Sequence, residues 1–381
     1  MNLRNPFLSA VLIVVLAPAA APAGRPHDFQ GLGFPSGYSV GYAAGVSGDG
    51  FTVVGTLYSD DTHTAEPWRW TAADGWQPLR DSTGTIPLGW ASATSNDGSV
   101  IVGSVRTAQG TQAYRWTASG GMEILGFPDG SYDSSRASAV SADGSVVVGT
   151  RGFDTVNYHE AFRWNRAGGV QTLGDLAGGY HWTQPYNITA DGSTVVGYSM
   201  TNSGPEAFRW TEAGGLEGLG SLTGPELQSS AGGVSRNGNV VLGCSDSADG
   251  WQVFRWTADD GLRALGAVGP TTIWAEVADM SIQRPVAVGY GESDNGDEAF
   301  IWNPAHGVRN LQEYLVEEMK LDLAGWQLLQ ARGISDDGHT IVGWGHSPNA
   351  AFELWIAHIP EPATLALLVL GGVGLLIRRR G

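Results

Sequence analysis

Residues 141–149 read Ser-Ala-Asp-Gly-Ser-Val-Val-Val-Gly, residues 160–164 Glu-Ala-Phe-Arg-Trp, and residues 168–174 Gly-Gly-Val-Gln-Thr-Leu-Gly. The same phrase returns along the whole chain. Its closing glycine falls at Gly55, Gly103, Gly149, Gly197, Gly243, Gly289 and Gly343, with spacings of 48, 46, 48, 46, 46 and 54 residues. Its tryptophan falls at Trp70, Trp116, Trp164, Trp210, Trp256, Trp302 and Trp355, with spacings of 46, 48, 46, 46, 46 and 53. Two markers with one period define a repeat array, so each part must be read as one copy of a shared unit.

Each copy holds four short runs of strand-forming residues, such as 137–141, 145–149, 161–164 and 170–173. Val, Ile, Phe and Trp suit a pleated surface, and Gly or Asp-Gly punctuates between runs. Asp143-Gly144 and Gly168-Gly169 are tight-turn pairs, closing hairpins between runs one and two and between runs three and four. Four antiparallel strands in about 46 residues match one propeller blade. The coils of a stacked solenoid are shorter, and an immunoglobulin-like unit needs about seven strands.

The seventh copy has its first three runs (331–335, 340–343 and 351–356) but no fourth, whereas an extra fourth-type run stands at 29–33, ahead of the first copy. The expected fold is therefore all-β: a seven-bladed β-propeller of four-stranded antiparallel blades. The N-terminal strand completes the last blade, which leaves no open sheet edge. The insert 311–323 carries Leu311, Leu315, Met319 and Leu323 four apart, which predicts a short helix capping the core.

The two ends differ in kind from this body. Residues 1–23 combine Arg4, an apolar run over 7–16 and Ala21-Pro22-Ala23, a signal peptide with cleavage expected between Ala23 and Gly24. The ring is expected over 24–359. Residues 360–381 run Pro360-Glu361-Pro362, an apolar stretch over 363–377, then Arg378, Arg379 and Arg380. As a helix that stretch spans about 23 Å, short of a hydrocarbon core of about 30 Å, so a transient span with cytoplasmic arginines is expected.

This tail resembles the PEP-CTERM sorting signal of Gram-negative bacteria. The resemblance implies export, a C-terminal helix held in the inner membrane before processing, recognition by an exosortase, and an association with exopolysaccharide at the cell surface. The body resembles the HAF-type extracellular repeat family, through the phrases at 140–144, 160–164 and 168–174 and through Gly325-Trp326-Gln327-Leu328. That resemblance implies an extracellular address and brings no catalytic residues. The sixth copy departs from the pattern, with no Asp-Gly in 280–285 and Ile301 in place of the arginine.

The formal net charge of −17 disfavours nucleic acid and anionic lipid as partners. Cys244 is the sole cysteine, so no internal disulfide forms. The eight histidines fall in no zinc spacing, and one Asp before one Gly per copy is a turn, not a calcium loop. No metal, cofactor or catalytic residue is marked. Arg69, Arg115, Arg163, Arg209 and Arg255 share one strand position. A buried guanidinium needs a partner, so an ion pair with the hairpin aspartate is expected in blades one to four.

The connections after runs two and four, such as 56–67, 150–159, 174–185 and 266–276, are read as long and variable, and a meander brings them to one side. The innermost strands are entered there at Tyr42, Trp90, Arg136, Gln184, Ser230, Glu276 and Gln330, with Tyr132, Tyr180, His181, Trp182 and Trp274 in nearby loops. Aromatic and hydrogen-bonding side chains together suit a sugar surface. The leading expectation is a non-catalytic surface or matrix protein binding polysaccharide or a protein partner on this face. The alternative is a carbohydrate-active hydrolase or lyase using acidic residues at the channel mouth.

Overall fold

The computed structural model describes residues 28–127, 134–153, 158–222, 228–269, 272–294, 296–349 and 352–359. They form seven four-stranded antiparallel sheets, nearly all of the described chain. The innermost strands of blades one to seven are Tyr38–Val46, Gly89–Thr94, Ser134–Val140, Thr183–Ile188, Ser229–Val234, Trp274–Met280 and Gln327–Ile334. Six sheets follow chain order from centre to rim. The seventh takes Asp28–Gly31 as its outermost strand, with Asp28 opposite His358, Phe29 opposite Ala357 and Gly31 opposite Trp355. The ring therefore closes as its ends predict, and the Phe29 ring lies 5.5 Å from that of Trp326 to seal the seam.

The glycine that marks each repeat is there for space. Every innermost strand carries a register shift, in blade three between Ala137 and Ala139. The shift swings a carbonyl toward the second strand. A methyl group on Gly149 would stand 2.0 Å from the Arg136 carbonyl, and one on Gly103, Gly197 or Gly243 would stand 2.0 to 2.1 Å from those of Trp90, Gln184 and Ser230. On its other neighbour, each marker glycine faces an aromatic residue of the third strand, as Gly149 faces Phe162. The ring of Phe254 or Phe300 would come within 2.5 Å of such a methyl group. These aromatics are among the largest fully buried side chains, and burying a Phe stabilises by about 1.5–3 kcal/mol.

Alternation along the third strand glues the blades together. Phe162 and Trp164 pack on Val100 and Val102 of blade two, and Val146 and Val148 pack on Phe208 and Trp210 of blade four. Arg163, between Phe162 and Trp164, points the other way, and its Nε donates to the Gly192 carbonyl of blade four at 3.0 Å. Arg115 and Arg209 repeat this toward Gly144 and Gly238, both at 2.9 Å. The expected guanidinium–aspartate pair is thus not what forms in these blades. The arginine takes the carbonyl of the turn glycine one blade onward, which follows an aspartate for Arg115 and Arg163 and Asn237 for Arg209, and Arg69 bonds Gln77 Oε1 at 2.8 Å.

The hairpin aspartate serves its own turn. Asp143 Oδ1 accepts from Ser141 Oγ, Ser145 Oγ and Ser145 N at 2.7 to 2.9 Å, and Ser141 Oγ accepts from Val146 N. These donors hold the Asp143 carboxyl below the usual range. Gly144 is needed for φ +70°, and a methyl group there would stand 2.4 Å from Val100 of the preceding blade. Backbone bonds from Asp49 N to Asn96 O, Asn96 N to Ala142 O, Ala142 N to Ala190 O and Asp336 N to Gly48 O stitch neighbouring turns around the axis.

Three further expectations need correction. The insert is helical only over Leu311–Glu313 and Tyr314–Glu318, an α-turn widening into a π-turn, because positive φ at Lys320 and Ala324 breaks it. Leu311, Leu315, Met319 and Leu323 are all buried nevertheless, together with Ile301, which fills the arginine position of blade six. In blade seven, Trp355 pairs with Gly343 and so stands at the Phe place, with Ile356 at the Arg place and Ala357 at the Trp place. Finally, much of the stretches read as loops over 56–67 and 150–159 is strand, within Thr52–Ser59, Ala65–Thr71, Val146–Phe153 and Tyr158–Asn165. The signal peptide, Tyr132 and the 360–381 tail lie outside the described residues.

Candidate binding site at the channel mouth

The seven innermost strands surround a cavity of about 500 Å³. At one level it is lined by Trp90, Arg136, Gln184 and Glu276, and toward the tight-turn end by Asn96, Ala142, Ala190 and Asp336. Four of the eight binding residues expected from sequence therefore come together on its wall. The other four do not line it. Tyr42 packs edge-on against Trp344 at 5.2 Å and Tyr58 at 5.9 Å, beside Phe352. Gln330 is buried, and among the described residues its Oε1 has no hydrogen-bond partner. Trp274 donates to Glu292 at 3.0 Å. Trp182 donates to Tyr198 OH at 3.1 Å, and its ring lies 4.2 Å from that of His159. Near Trp182, His181 bonds Asp175 at 2.8 Å and Tyr180 is exposed.

At the mouth, the Arg136 guanidinium is exposed and lies 5.6 Å from the centre of the Trp90 indole. Gln184 Nε2 donates to Ser138 Oγ at 3.1 Å. Opposite them, Arg332 Nη1 donates to Tyr290 OH at 2.8 Å with its guanidinium over the Tyr290 ring, and Tyr290 in turn donates to Glu276. Burial raises the Glu276 carboxyl above the usual range, against the pull of Arg332 and Tyr290. Burial next to Glu276 also raises the phenols of Tyr186 and Tyr290 and the thiol of Cys244, which lies packed in the blade five–six interface.

Deeper in the channel, Asp279 accepts from Ile334 N at 3.1 Å, Met280 N at 2.8 Å and Asn187 Nδ2 at 3.2 Å. Asn187 reaches it across blade five, also donating to the Gly232 carbonyl at 3.1 Å, and Gly232 itself lets blade six approach: a methyl group there would stand 1.6 Å from the Val277 carbonyl. Enclosure pushes the Asp279 carboxyl up to about 6. Sequence reading missed Tyr186 and Arg332, although each lies two residues inward of an expected position, where strand alternation puts the next channel-facing side chain. Asn187 and Asp279 sit at register shifts, where that alternation is reset. Among the described residues no three His, Cys, Asp or Glu side chains are grouped to hold a metal ion. Nor is any helix among them long and apolar enough to cross a membrane.

Comparison with curated proteins finds no match to the sequence. Three solved structures are similar to this chain, two of them with a TM-score above 0.5. The β-propeller domain of the trilobed protease from Pyrococcus furiosus, with an open velcro topology, matches at TM-score 0.57 and 8% identity, over 85% of this chain and 97% of that one. An oligogalacturonate lyase in complex with manganese matches at 0.57 and 12%, over 87% and 93%. TolB from Acinetobacter baumannii matches at 0.41 and 15%, over 59% of this chain and 53% of that one. Such identities carry the fold alone. Residues 358–380 match the PEP-CTERM protein-sorting motif. That motif implies export, processing by an exosortase and a surface or extracellular address, so the chain is a secreted seven-bladed β-propeller carrying a PEP-CTERM sorting signal.

Proposed function

We propose that this exported propeller is a non-catalytic component of the cell surface or extracellular matrix, and that it binds a polysaccharide chain at the mouth of its central channel. The observation that carries this reading is the mouth itself. An indole, a guanidinium and a carboxamide from three successive blades face one cavity of a size usual for small-ligand sites. Indoles stack on the apolar faces of sugar rings, while guanidinium and carboxamide groups bond their oxygens. The HAF-like phrases and the sorting tail fit the same address. A signal peptide over 1–23 delivers the chain, and the ring occupies 24–359.

A hydrolase or lyase reading would use the channel carboxylates. Glu276, however, is engaged by Tyr290 and faces Arg332, Asp279 is engaged by three donors, and Asp336, whose carboxyl burial raises to about 6, lines the tight-turn end of the cavity and not the Trp90–Arg136–Gln184 mouth. The test is a glycan array probed with the purified exported protein, with reducing-sugar release and double-bond formation followed in parallel. Binding without product is the expected result. Product formation would replace the binding reading with the enzymatic one.

A further inference from the structure

Building on the saccharide-binding reading just given, we infer that the mouth selects an anionic saccharide, a chain carrying uronate carboxylates, with Arg136 as the carboxylate partner. The charges around the cavity single out Arg136. Two guanidinium groups line it, Arg136 and Arg332, with the carboxylates of Glu276 across the mouth and of Asp279 and Asp336 deeper in. Arg332 is committed to Tyr290 and to the nearby Glu276. Arg136 is exposed, and among the described residues its guanidinium meets only the face of Trp90. An aromatic face holds a guanidinium in place through its quadrupole while leaving the N–H edge free to donate. That edge matches the two oxygens of a carboxylate in bidentate geometry.

The surroundings extend the match. Gln184, on the neighbouring strand, donates its Nε2 hydrogens to Ser138 and the Pro185 carbonyl, which leaves Oε1 to accept from a sugar hydroxyl beside the carboxylate. The small side chains of Ala44 and Ser92 leave room beside Trp90, on the wall formed by blades one and two. An otherwise acidic chain, at −17 overall, gains no affinity for polyanions from its general field. Selection of an anion must therefore come from this local cation. The arrangement predicts recognition of a chain end or a single uronate, not of a long stretch of polyanion.

The experiment is titration calorimetry on the purified exported protein with three probes: a tetrameric uronate oligosaccharide, its methyl ester, and an uncharged tetraglucoside. The uronate should bind about tenfold to a hundredfold more tightly than its ester, since a charge-assisted hydrogen bond is the difference between them. Arg136→Gln should abolish that difference, leaving uronate and ester bound equally and more weakly, and Arg136→Lys should restore part of it. Because Arg136 is exposed, its removal should leave the circular dichroism spectrum and melting transition unchanged. Equal binding of uronate and ester, or an Arg136→Gln variant that keeps the preference, overturns the assignment and leaves sugar binding in place. Failure of all three probes, in a protein that also binds nothing on the glycan array, removes the saccharide reading and this inference with it.

Discussion

Replacing Tyr114 with Phe should make the protein more stable. Tyr114 stands in blade two at the place held by Phe162, Phe208, Phe254 and Phe300 in the next four blades, and all five side chains are fully buried. Among the described residues its hydroxyl has no hydrogen-bond partner. Burial without a partner drives its phenol far above the ordinary range. An unpaired buried hydroxyl costs about 1–3 kcal/mol, and deleting one oxygen forfeits only a few dispersion contacts of about 0.1–0.2 kcal/mol each. The net gain is about 1 kcal/mol. With a urea slope of about 3 kcal/mol/M for a chain this large, the midpoint should rise by about 0.3 M. The converse change, Phe162→Tyr, should lower it by a similar amount. Equilibrium unfolding followed by tryptophan fluorescence reads both. A Tyr114→Phe midpoint lower by 0.3 M or so would show that the hydroxyl contributes a bond, and the packing argument would fail.

Three other outcomes follow from the same geometry. Gly149→Ala sets a methyl group against the Arg136 carbonyl, which cannot move without breaking the channel wall, so it should cost about 3 kcal/mol or more in denaturant unfolding. Arg163→Met removes a bond to the next blade and should cost about 1 kcal/mol, whereas Arg255→Met should cost under about 0.5 kcal/mol, because Arg255 bonds an exposed aspartate, Asp260. Asp279 titrates near 6 when folded and near 3.8 when unfolded, so the folded state binds its proton more readily. Its contribution favours folding at pH 4 and is lost as pH rises through about 6, by at most about 3 kcal/mol. Subtracting the Asp279→Asn profile from that of the parent protein should isolate this slope, and a flat difference would remove it.

The ring could be read from the chain because each copy repeats the same local instructions. Period-two alternation, an Asp-Gly turn and a marker glycine survive in nearly every blade, so errors in one copy are corrected by the others. The arginine's partner could not be read the same way. Arg115, Arg163 and Arg209 reach across to a glycine 29 residues onward, in another blade, and the acceptor is a backbone carbonyl that no residue type advertises. The aspartate was legible as a turn former, and a carboxylate occupied by Ser141 and Ser145 has little left for a guanidinium. At the channel, Trp90, Arg136, Gln184 and Glu276 follow from alternation alone. Tyr42 and Gln330 obey the same alternation, but neighbouring side chains enclose them. Asn187 and Asp279 depend on register shifts, which sequence patterning does not date to a residue.

The whole arrangement rests on the first strand lying against the last sheet, since only a closed ring brings blades one and seven together around the channel. The direct measurement is chemical cross-linking of the Asp28→Cys, His358→Cys double variant with a short bismaleimide; Cys244, the one native thiol, is fully buried. The account predicts a link within one molecule, joining the peptide that holds residue 28 to the peptide that holds residue 358. Links formed only between molecules, or none, would contradict it.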